Sequence, residues 1–286
     1  MLEATFINDE VSRDLDEAIA FARAEGLGAI ELRMIGDVNV VELPVAELER
    51  IRAKLDAAGL RVAALSTPLF KCPLGGAWDD DDPDPFKAAS RDFADHLALI
   101  PKVVAAAHLL GTGTLRCFAF LGRGAYADVR DAIEERLRSA GDALVALDPN
   151  LRFCIENEHT TYVRLAEEVA SLVRELGDPF DVLWDPGNAY ASGAREPLLG
   201  VEAVAGLVAH VHVKDPRSEG DGVRFVVVGE GEIDYPAQVA AWLAGGYRGY
   251  VSLEPHLIVG RSSIPGARAC LDYLRPLLAA ANAGPA

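Results

Sequence analysis

Apolar positions along this chain alternate between two periodicities. Short, nearly continuous apolar runs such as EATFI (3–7) and RVAALS (61–66) are typical of buried strands. Segments such as 11–25 instead carry apolar residues close to helical spacing. Eight strand–helix pairs of this kind follow one another along the sequence. Strands that alternate with helices imply right-handed crossovers and parallel pairing.

This order predicts an α/β fold, a single (β/α)8 TIM barrel with parallel strands and outer helices. Such barrels typically have ~250 residues, so the 286 residues fit one domain over 1–286, with a frayed tail at about 281–286. A doubly wound open sheet is the alternative. It predicts a glycine fingerprint after the first strand, and INDEVS contains no glycine.

Helices are predicted over Lys87–Leu110, interrupted or ended near Pro101, and over Pro197–Leu207. The Gly-rich segment Pro216–Tyr235 after the seventh strand is long for a connection in a barrel, which makes it a candidate lid.

Four polar residues each end a short apolar run in the second half of the chain: Glu156, Asp185, His210 and Glu254. Three carboxylates and an imidazole are a complete ligand set for one divalent cation. The intervals of about 29 and about 25 residues between the first three match one strand-plus-helix unit of a ~250-residue barrel. Because active sites lie at the carboxyl ends of barrel strands, we expect these four residues to bind one metal ion.

His210, His212 and Lys214 alternate along the seventh strand, so all three side chains point toward the barrel axis. We assign the metal to His210 and substrate or supporting roles to His212 and Lys214. Four more residues are substrate-binding candidates: Glu31, His159, Asn188 and Arg217. Glu31 lies inside the second strand, where a buried carboxylate either orients a substrate hydroxyl or forms a structural salt bridge.

The composition of the chain limits the classes of partner that it is expected to bind. The formal net charge of −17 argues against nucleic acid or an anionic membrane, because a phosphate backbone needs clustered Lys and Arg. The four cysteines show no C-x-x-C spacing, and the N-terminus lacks the basic and apolar regions of a signal peptide. No apolar run approaches the ~20 residues of a membrane span. We expect a cytoplasmic protein that acts on a small molecule.

Six segments carry a resemblance to a known family: GLGAIELR (26–33), IENEH (155–159), DPGN (185–188), HVHVKD (210–215), VVGEGEIDY (227–235) and GYVSLEP (249–255). The chain resembles the xylose isomerase-like barrel superfamily, and within it the sugar phosphate isomerase/epimerase group. The resemblance implies that Glu156, Asp185, His210 and Glu254 bind a divalent metal. It also implies that the two glutamates double as proton carriers. A homodimer or homotetramer is common among similar proteins, and the sequence leaves the oligomeric state open.

A DNA-repair endonuclease branch of the same superfamily binds three zinc ions through additional histidines. This sequence departs from that branch, because Asn188 stands where the branch has a histidine and the STPLFK loop offers none.

These residues predict a metal-dependent isomerase or epimerase of a keto-sugar or related polyol, working by proton transfer through a metal-stabilised enediolate. Glu156 and Glu254 would carry the proton, and Lys214 would steady the developing oxyanion. The same site could serve a lyase (dehydratase) on a cyclic keto-polyol or a dehydroshikimate-like acid, or a non-catalytic sugar-binding barrel. Oxygen-rich ligation favours Mn²⁺, with Mg²⁺, Co²⁺ or Zn²⁺ as further choices.

Overall fold

Eight parallel strands form the centre of the structure, a computed structural model that describes residues 1–75, 90–196, 198, 200–220, 222–257 and 263–284. The barrel strands are β1 (Glu3–Phe6), β2 (Ala29–Leu32), β5 (Arg61–Leu65), β6 (Thr114–Cys117), β7 (Arg152–Glu156), β8 (Phe180–Trp184), β9 (Val208–Val213) and β12 (Tyr250–Leu253). Four further strands form two hairpins, β3 (Met34–Ile35) with β4 (Val38–Asn39) and β10 (Asp215–Glu219) with β11 (Gly222–Val226).

Helices surround these strands: α1 (Leu15–Ala24), α2 (Val45–Ala58), α3 (Phe93–Leu110), α4 (Tyr126–Leu147), α5 (Ala166–Leu176), α6 (Pro186–Ala191), α7 (Tyr235–Ala244) and α8 (Ile264–Ala283). Three 3-10 turns cover Asn8–Glu10, Val40–Glu42 and Val201–Val204.

The central sheet has the order β1-β12-β9-β8-β7-β6-β5-β2, and all its strand pairs are parallel. A parallel bridge between Ile7 and Glu31 brings the two end strands together, so that the barrel is nearly closed. The predicted (β/α)8 fold is therefore confirmed. Parallel pairing places the carboxyl ends of all eight strands at one mouth, where the candidate residues of the second half lie.

Helix α3 differs from the sequence prediction because it continues through Pro101 to Leu110. It begins at a capping box, in which the side chains of Asp92 and Asp95 accept hydrogen bonds from each other's backbone N–H. By length and composition α3 could cross a membrane, but it packs against α2 and α4 around the barrel. The predicted start at Lys87 lies outside the described residues.

The segment after the sixth barrel strand also differs from the prediction. Instead of one helix over 197–207, the chain forms the short helix α6 and then the 3-10 turn Val201–Val204. Pro197 and Leu199 lie outside the described residues. Near the C-terminus, α8 extends to Ala283, into the tail that was expected to fray.

The predicted lid segment begins with a β-hairpin, where the sequence pattern predicted a loop. Strands β10 and β11 pair antiparallel, and the chain that follows returns to Asp215. The buried carboxylate of Asp215 accepts hydrogen bonds from the N–H groups of Gly229, Gly231 and Ile233. A Cβ on Gly231 would lie 2.1 Å from Oδ1 of Asp215, so glycine is required for this close approach. The hairpin is therefore tied back to the end of β9.

Candidate metal centre and active site

Four buried side chains converge at the mouth of the barrel. Glu156 ends β7, Asp185 follows β8, His212 lies in β9 and Glu254 follows β12. Each offers one ligand atom, and these atoms all lie within 4.8 Å of one another. Each residue is at most 3% exposed to solvent. Three carboxylates and one imidazole whose ligand atoms lie this close can bind one divalent cation, so this cluster is the strongest candidate for a metal centre among the described residues.

The structure brings His212, not His210, to the three carboxylates. Nδ1 of His212 lies 3.7 Å from Oε1 of Glu156 and 3.5 Å from Oε2 of Glu254. His210 lies one pleat deeper along β9, and its Nε2 is 2.7 Å from Oε2 of Glu31. Side chains alternate along a strand, so the sequence predicted that both histidines share one face. It did not predict how deep in the barrel each one lies. By this geometry His212, rather than the predicted His210, is the candidate imidazole ligand of the three carboxylates.

The position of Asp185 is fixed by its backbone and by its neighbours. Asp185 caps α6, accepting a hydrogen bond from the N–H of Asn188 at 2.9 Å. The side chain of Asn157 donates to the carbonyl of Asp185 and accepts from its N–H. Gly187 lets this turn approach β9 closely, since a Cβ there would lie 2.4 Å from Cγ of Lys214. The DPGN sequence therefore presents the Asp185 carboxylate rigidly to the cluster.

Three cationic side chains neutralise the carboxylates of the cluster. Nζ of Lys214 lies 2.6 Å from Glu254 and 2.8 Å from Asp185. The guanidinium of Arg33 lies 2.6 Å from Oε1 of Glu254. That of Arg116 lies 3.4 Å from Glu156, the longest of these separations.

These charges set the protonation states of the site. Burial opposes ionisation of Glu254, but Lys214 and the nearby imidazoles hold its pKa well below the usual range. Burial also opposes the charge of Lys214, yet Asp185 and Glu254 raise its pKa. The pKa of Glu156 is lowered despite its burial, by His212 and then by Arg116. Glu156 and Glu254 are therefore carboxylates near neutral pH, the form that accepts a proton.

A cavity of about 120 Å³ opens beside the cluster. Its lining includes the ligand candidates Glu156 and Glu254, and it includes polar and aromatic groups from several loops: Arg33, Lys71, Arg116, Phe118, Glu158, His159, Asn188, Lys214, Phe225 and His256. Few of these groups are apolar, so the cavity suits a small, hydroxyl-rich molecule rather than a hydrophobic one.

Two predicted substrate-binding residues line this cavity and touch each other. Nδ1 of His159 lies 3.3 Å from Oδ1 of Asn188, whose amide donates to Glu156 at 3.0 Å. Burial opposes the charge of His159, but its hydrogen bond with Glu158 raises its pKa. Glu158 also lies 3.2 Å from Nζ of Lys71. His159 is thus a candidate proton donor at the cavity wall.

The other two predicted substrate-binding residues lie elsewhere. Glu31 is fully buried beneath the ligand cluster, between His210 and His212, and is not among the residues that line the cavity. Arg217 lies on the exposed part of β10, where its guanidinium donates to the carbonyl of Glu230. The geometry therefore does not place Glu31 or Arg217 at the substrate cavity.

Sequence reasoning missed several cavity residues. Arg33 follows Glu31 by two positions, so the period of two could have placed it on the same inward face. Arg116 interrupts the apolar run TLRCF, which is a comparable signal. Phe225 belongs to the unpredicted hairpin, and its ring packs 5.3 Å from that of His256. Nothing in the sequence pattern marked Phe225, because its place depends on how the hairpin folds back.

The donor set fits a divalent cation. Nε2 of His212 faces Glu31, and Nδ1 of the same ring faces the three carboxylates. Nδ1 is buried and has no hydrogen-bond partner among the described residues. When a cation displaces the proton of Nδ1, the lone pair of this atom faces the three carboxylates, which is the arrangement expected of a metal ligand. Three oxygen ligands and one imidazole suit Mn²⁺, Mg²⁺, Co²⁺ or Zn²⁺.

A larger cavity of about 260 Å³ lies at the opposite end of β9. It is bordered by the start of β9 and the end of α7, with Trp242 and several small residues in its wall. Carboxylates and histidines are absent from the described residues that line it, whereas the smaller cavity has both.

Comparisons with known proteins support this fold. Over 129 residues the chain is 29% identical to an inosose dehydratase of Yersinia enterocolitica, a match that covers 39% of this chain and 43% of that relative. The chain thus matches less than half the length of this curated relative. Among solved structures, the IolI protein with a bound zinc atom superimposes with a TM-score of 0.72 at 14% identity, covering 96% of this chain and 98% of that one.

An L-ribulose 3-epimerase superimposes with a TM-score of 0.71 at 16% identity, covering 99% of this chain and 96% of that one. At such identities these structures support the fold alone. The family model described as xylose isomerase-like TIM barrel matches residues 19–277, which is most of the chain. The chain therefore belongs to the xylose isomerase-like TIM barrel family.

Proposed function

We propose that this protein is a divalent-metal-dependent isomerase or epimerase of a keto-sugar or related polyol. One observation carries the proposal. Three buried carboxylates and an imidazole nitrogen without a hydrogen-bond partner among the described residues converge within 4.8 Å, beside a small polar cavity. The ligands are Glu156, Asp185, His212 and Glu254. A cation bound there would polarise a substrate carbonyl and lower the pKa of the adjacent C–H.

The proton transfers fall to Glu156 and Glu254. They come from β7 and the end of β12, which are separated by β8 and β9 in the barrel. Both carboxylates line the cavity and are ionised near neutral pH. One can therefore remove a proton next to a carbonyl, and the other, once it has taken up a proton from solvent, can return that proton from a different direction. Return to the same carbon gives an epimer, and return to the neighbouring carbon gives an isomer.

Lys214 and Arg116 are placed to stabilise negative charge on the substrate. Both line the cavity, and both lie beside the carboxylates of the cluster. A fixed cation aimed at a developing oxyanion in a site shielded from water lowers the barrier without reorganisation. Asn188 and His159 would orient substrate hydroxyls at the same wall.

A dehydratase is the second candidate. It is favoured by the inosose dehydratase relative and by His159, whose raised pKa supplies a proton donor at the cavity. Elimination of a β-hydroxyl requires such a donor to protonate the departing oxygen. The initial proton removal by Glu156 or Glu254 would be common to both reactions, so the fate of the hydroxyl distinguishes them.

The test uses the Mn²⁺-loaded protein with a panel of ketohexoses, ketopentoses and cyclic keto-polyols in D₂O, followed by NMR. Deuterium at the carbon beside the carbonyl, with the substrate formula retained, supports the isomerase or epimerase. Loss of water with a new ultraviolet-absorbing product supports the dehydratase. Saturable binding without either reaction would refute the enzyme proposal and leave a sugar-binding barrel.

A further inference from the structure

Among the described residues, Glu31 is a fully buried carboxylate of the barrel interior that the proposed reaction does not use. It lies on β2, on the far side of His212 from the cavity, and it is not among the cavity-lining residues. Burial of a carboxylate is costly unless its oxygens accept several hydrogen bonds.

Both oxygens of Glu31 are engaged by imidazoles. Nε2 of His210 lies 2.7 Å from Oε2, and Nε2 of His212 lies 3.0 Å from Oε1. The hydroxyl of Ser66 donates to Oε1 as well. The two histidine rings are nearly perpendicular, with an interplanar angle of 81°. Because each oxygen accepts from a different ring, the carboxylate cannot rotate without losing a hydrogen bond.

This arrangement sets the tautomer of His212. An ionised carboxylate only accepts hydrogen bonds, so the ring nitrogen that faces it must carry a proton. With the proton on Nε2, the neutral ring has its lone pair on Nδ1. That atom points at Glu156 and Glu254, 3.7 and 3.5 Å away, with no hydrogen-bond partner among the described residues.

We propose that Glu31 is a positioning residue for the metal centre. It holds His212 in the tautomer and orientation in which Nδ1 binds the cation, and His210 locks Glu31 by occupying its second oxygen. This inference rests on the metal site of the proposed function, but it concerns Glu31 and His210, which would touch neither substrate nor metal. It also replaces the earlier expectation that Glu31 contacts the substrate and that His210 binds the ion.

Glu31→Gln is the sharpest variant. The amide keeps the size of the side chain but replaces one acceptor oxygen by an NH₂ donor. The two Nε2–H groups of His210 and His212 then face one acceptor and one donor, so one ring must change its tautomer or turn. A carboxylate partner of a ligand histidine typically contributes about 10–100-fold to metal affinity. We expect the Kd for Mn²⁺ to rise by about that factor.

Glu134→Gln is the matched control. Glu134 is a buried glutamate of α4 whose oxygens pair with Arg130 and Arg138, outside the barrel interior. The same substitution there should leave Mn²⁺ affinity unchanged. Binding is measured by electron paramagnetic resonance of free Mn²⁺ during titration of each chain. A folded Glu31→Gln chain that binds Mn²⁺ within twofold of the wild type would overturn the proposal.

A second measurement needs no variant. Imidazole ¹⁵N NMR of the wild-type chain loaded with diamagnetic Zn²⁺ reports which nitrogen of His212 is protonated. A protonated Nε2 and a metal-bound Nδ1 support the proposal, while metal bound through Nε2 overturns it. Titration must also give one Mn²⁺ per chain. A second ion that requires Glu31, His210 and His212 would make Glu31 a ligand instead.

These results separate the two proposals. A chain that binds one metal ion through Nδ1 of His212 but turns over no sugar refutes the enzyme and keeps the positioning role of Glu31. Sugar turnover by the wild type, together with an unchanged Mn²⁺ affinity in Glu31→Gln, supports the enzyme and refutes the positioning role of Glu31. A wild-type chain that binds no divalent metal refutes both.

Discussion

Replacing Lys214 by Met tests whether the site is built around a cation. The ammonium of Lys214 lies 2.6 Å from Glu254 and 2.8 Å from Asp185, and all three side chains are at most 4% exposed. Methionine has a similar length and no charge, so it removes the counterion with little change in volume. In the metal-free protein, the buried carboxylates then lose their nearest compensating charge.

The expected loss of stability in Lys214→Met depends on which ion pairs remain in the variant. Breaking a buried ion pair by removing one partner costs ~3–5 kcal/mol. Arg33 still lies 2.6 Å from Glu254, whereas Asp185 loses the one ion pair that it forms with the described residues. We therefore expect the lower end of the range, about 3 kcal/mol in the free energy of unfolding. At ~2–3 °C per kcal/mol, this is a fall of roughly 6–9 °C in Tm.

The assay is thermal unfolding of the wild type and Lys214→Met, each with EDTA and with Mn²⁺. Lys54→Met is the control, because Lys54 pairs with Asp16 on the surface, where such a pair contributes ~0–1 kcal/mol. Mn²⁺ should restore most of the Tm lost in Lys214→Met, since it supplies the missing positive charge. A metal-free Lys214→Met chain as stable as the Lys54→Met control, or one that Mn²⁺ stabilises no more than the wild type, would refute this reasoning.

Three further predictions concern the ligands and the hairpin. Glu156→Gln and Glu254→Gln should each lower kcat by at least ~10²-fold while far-ultraviolet circular dichroism stays unchanged, and near-normal turnover in either would remove that residue from the proton transfer. Asp185→Asn should lower bound metal measured by elemental analysis after dialysis, and unchanged occupancy would mean that the ligand set is wrong. Gly231→Ala should lower the free energy of unfolding by about 1–3 kcal/mol, because the added Cβ would overlap Asp215; an unchanged value in denaturant titration would contradict the account of the turn.

The fold could be predicted because each element carries its own local signal. Strands such as β7 and β8 are continuous apolar runs, and their alternation with helices leaves few topologies. The polar residues at the ends of these strands, Glu156 and Asp185, were then expected at one mouth. Both side chains lie at that mouth in the structure, because parallel pairing brings the carboxyl ends of the strands to the same side of the barrel.

Depth and long-range contacts could not be predicted in the same way. His210 and His212 share one face of β9, and only the barrel's closure decides which ring reaches the carboxylates. The glycine-rich tip of the hairpin β10–β11 predicts a loop, so the sequence pattern does not reveal these strands. Phe225 reaches the cavity only because the hairpin folds back over it. Pro101 was expected to interrupt α3, yet packing against α2 and α4 sustains the helix through it.

The most direct test of the metal centre is an anomalous diffraction map at the manganese edge from crystals grown with Mn²⁺. We predict a single peak within bonding distance, roughly 2.0–2.3 Å, of oxygens from Glu156, Asp185 and Glu254 and of Nδ1 of His212. A peak bound by His210, or no peak among these side chains at saturating Mn²⁺, would contradict it.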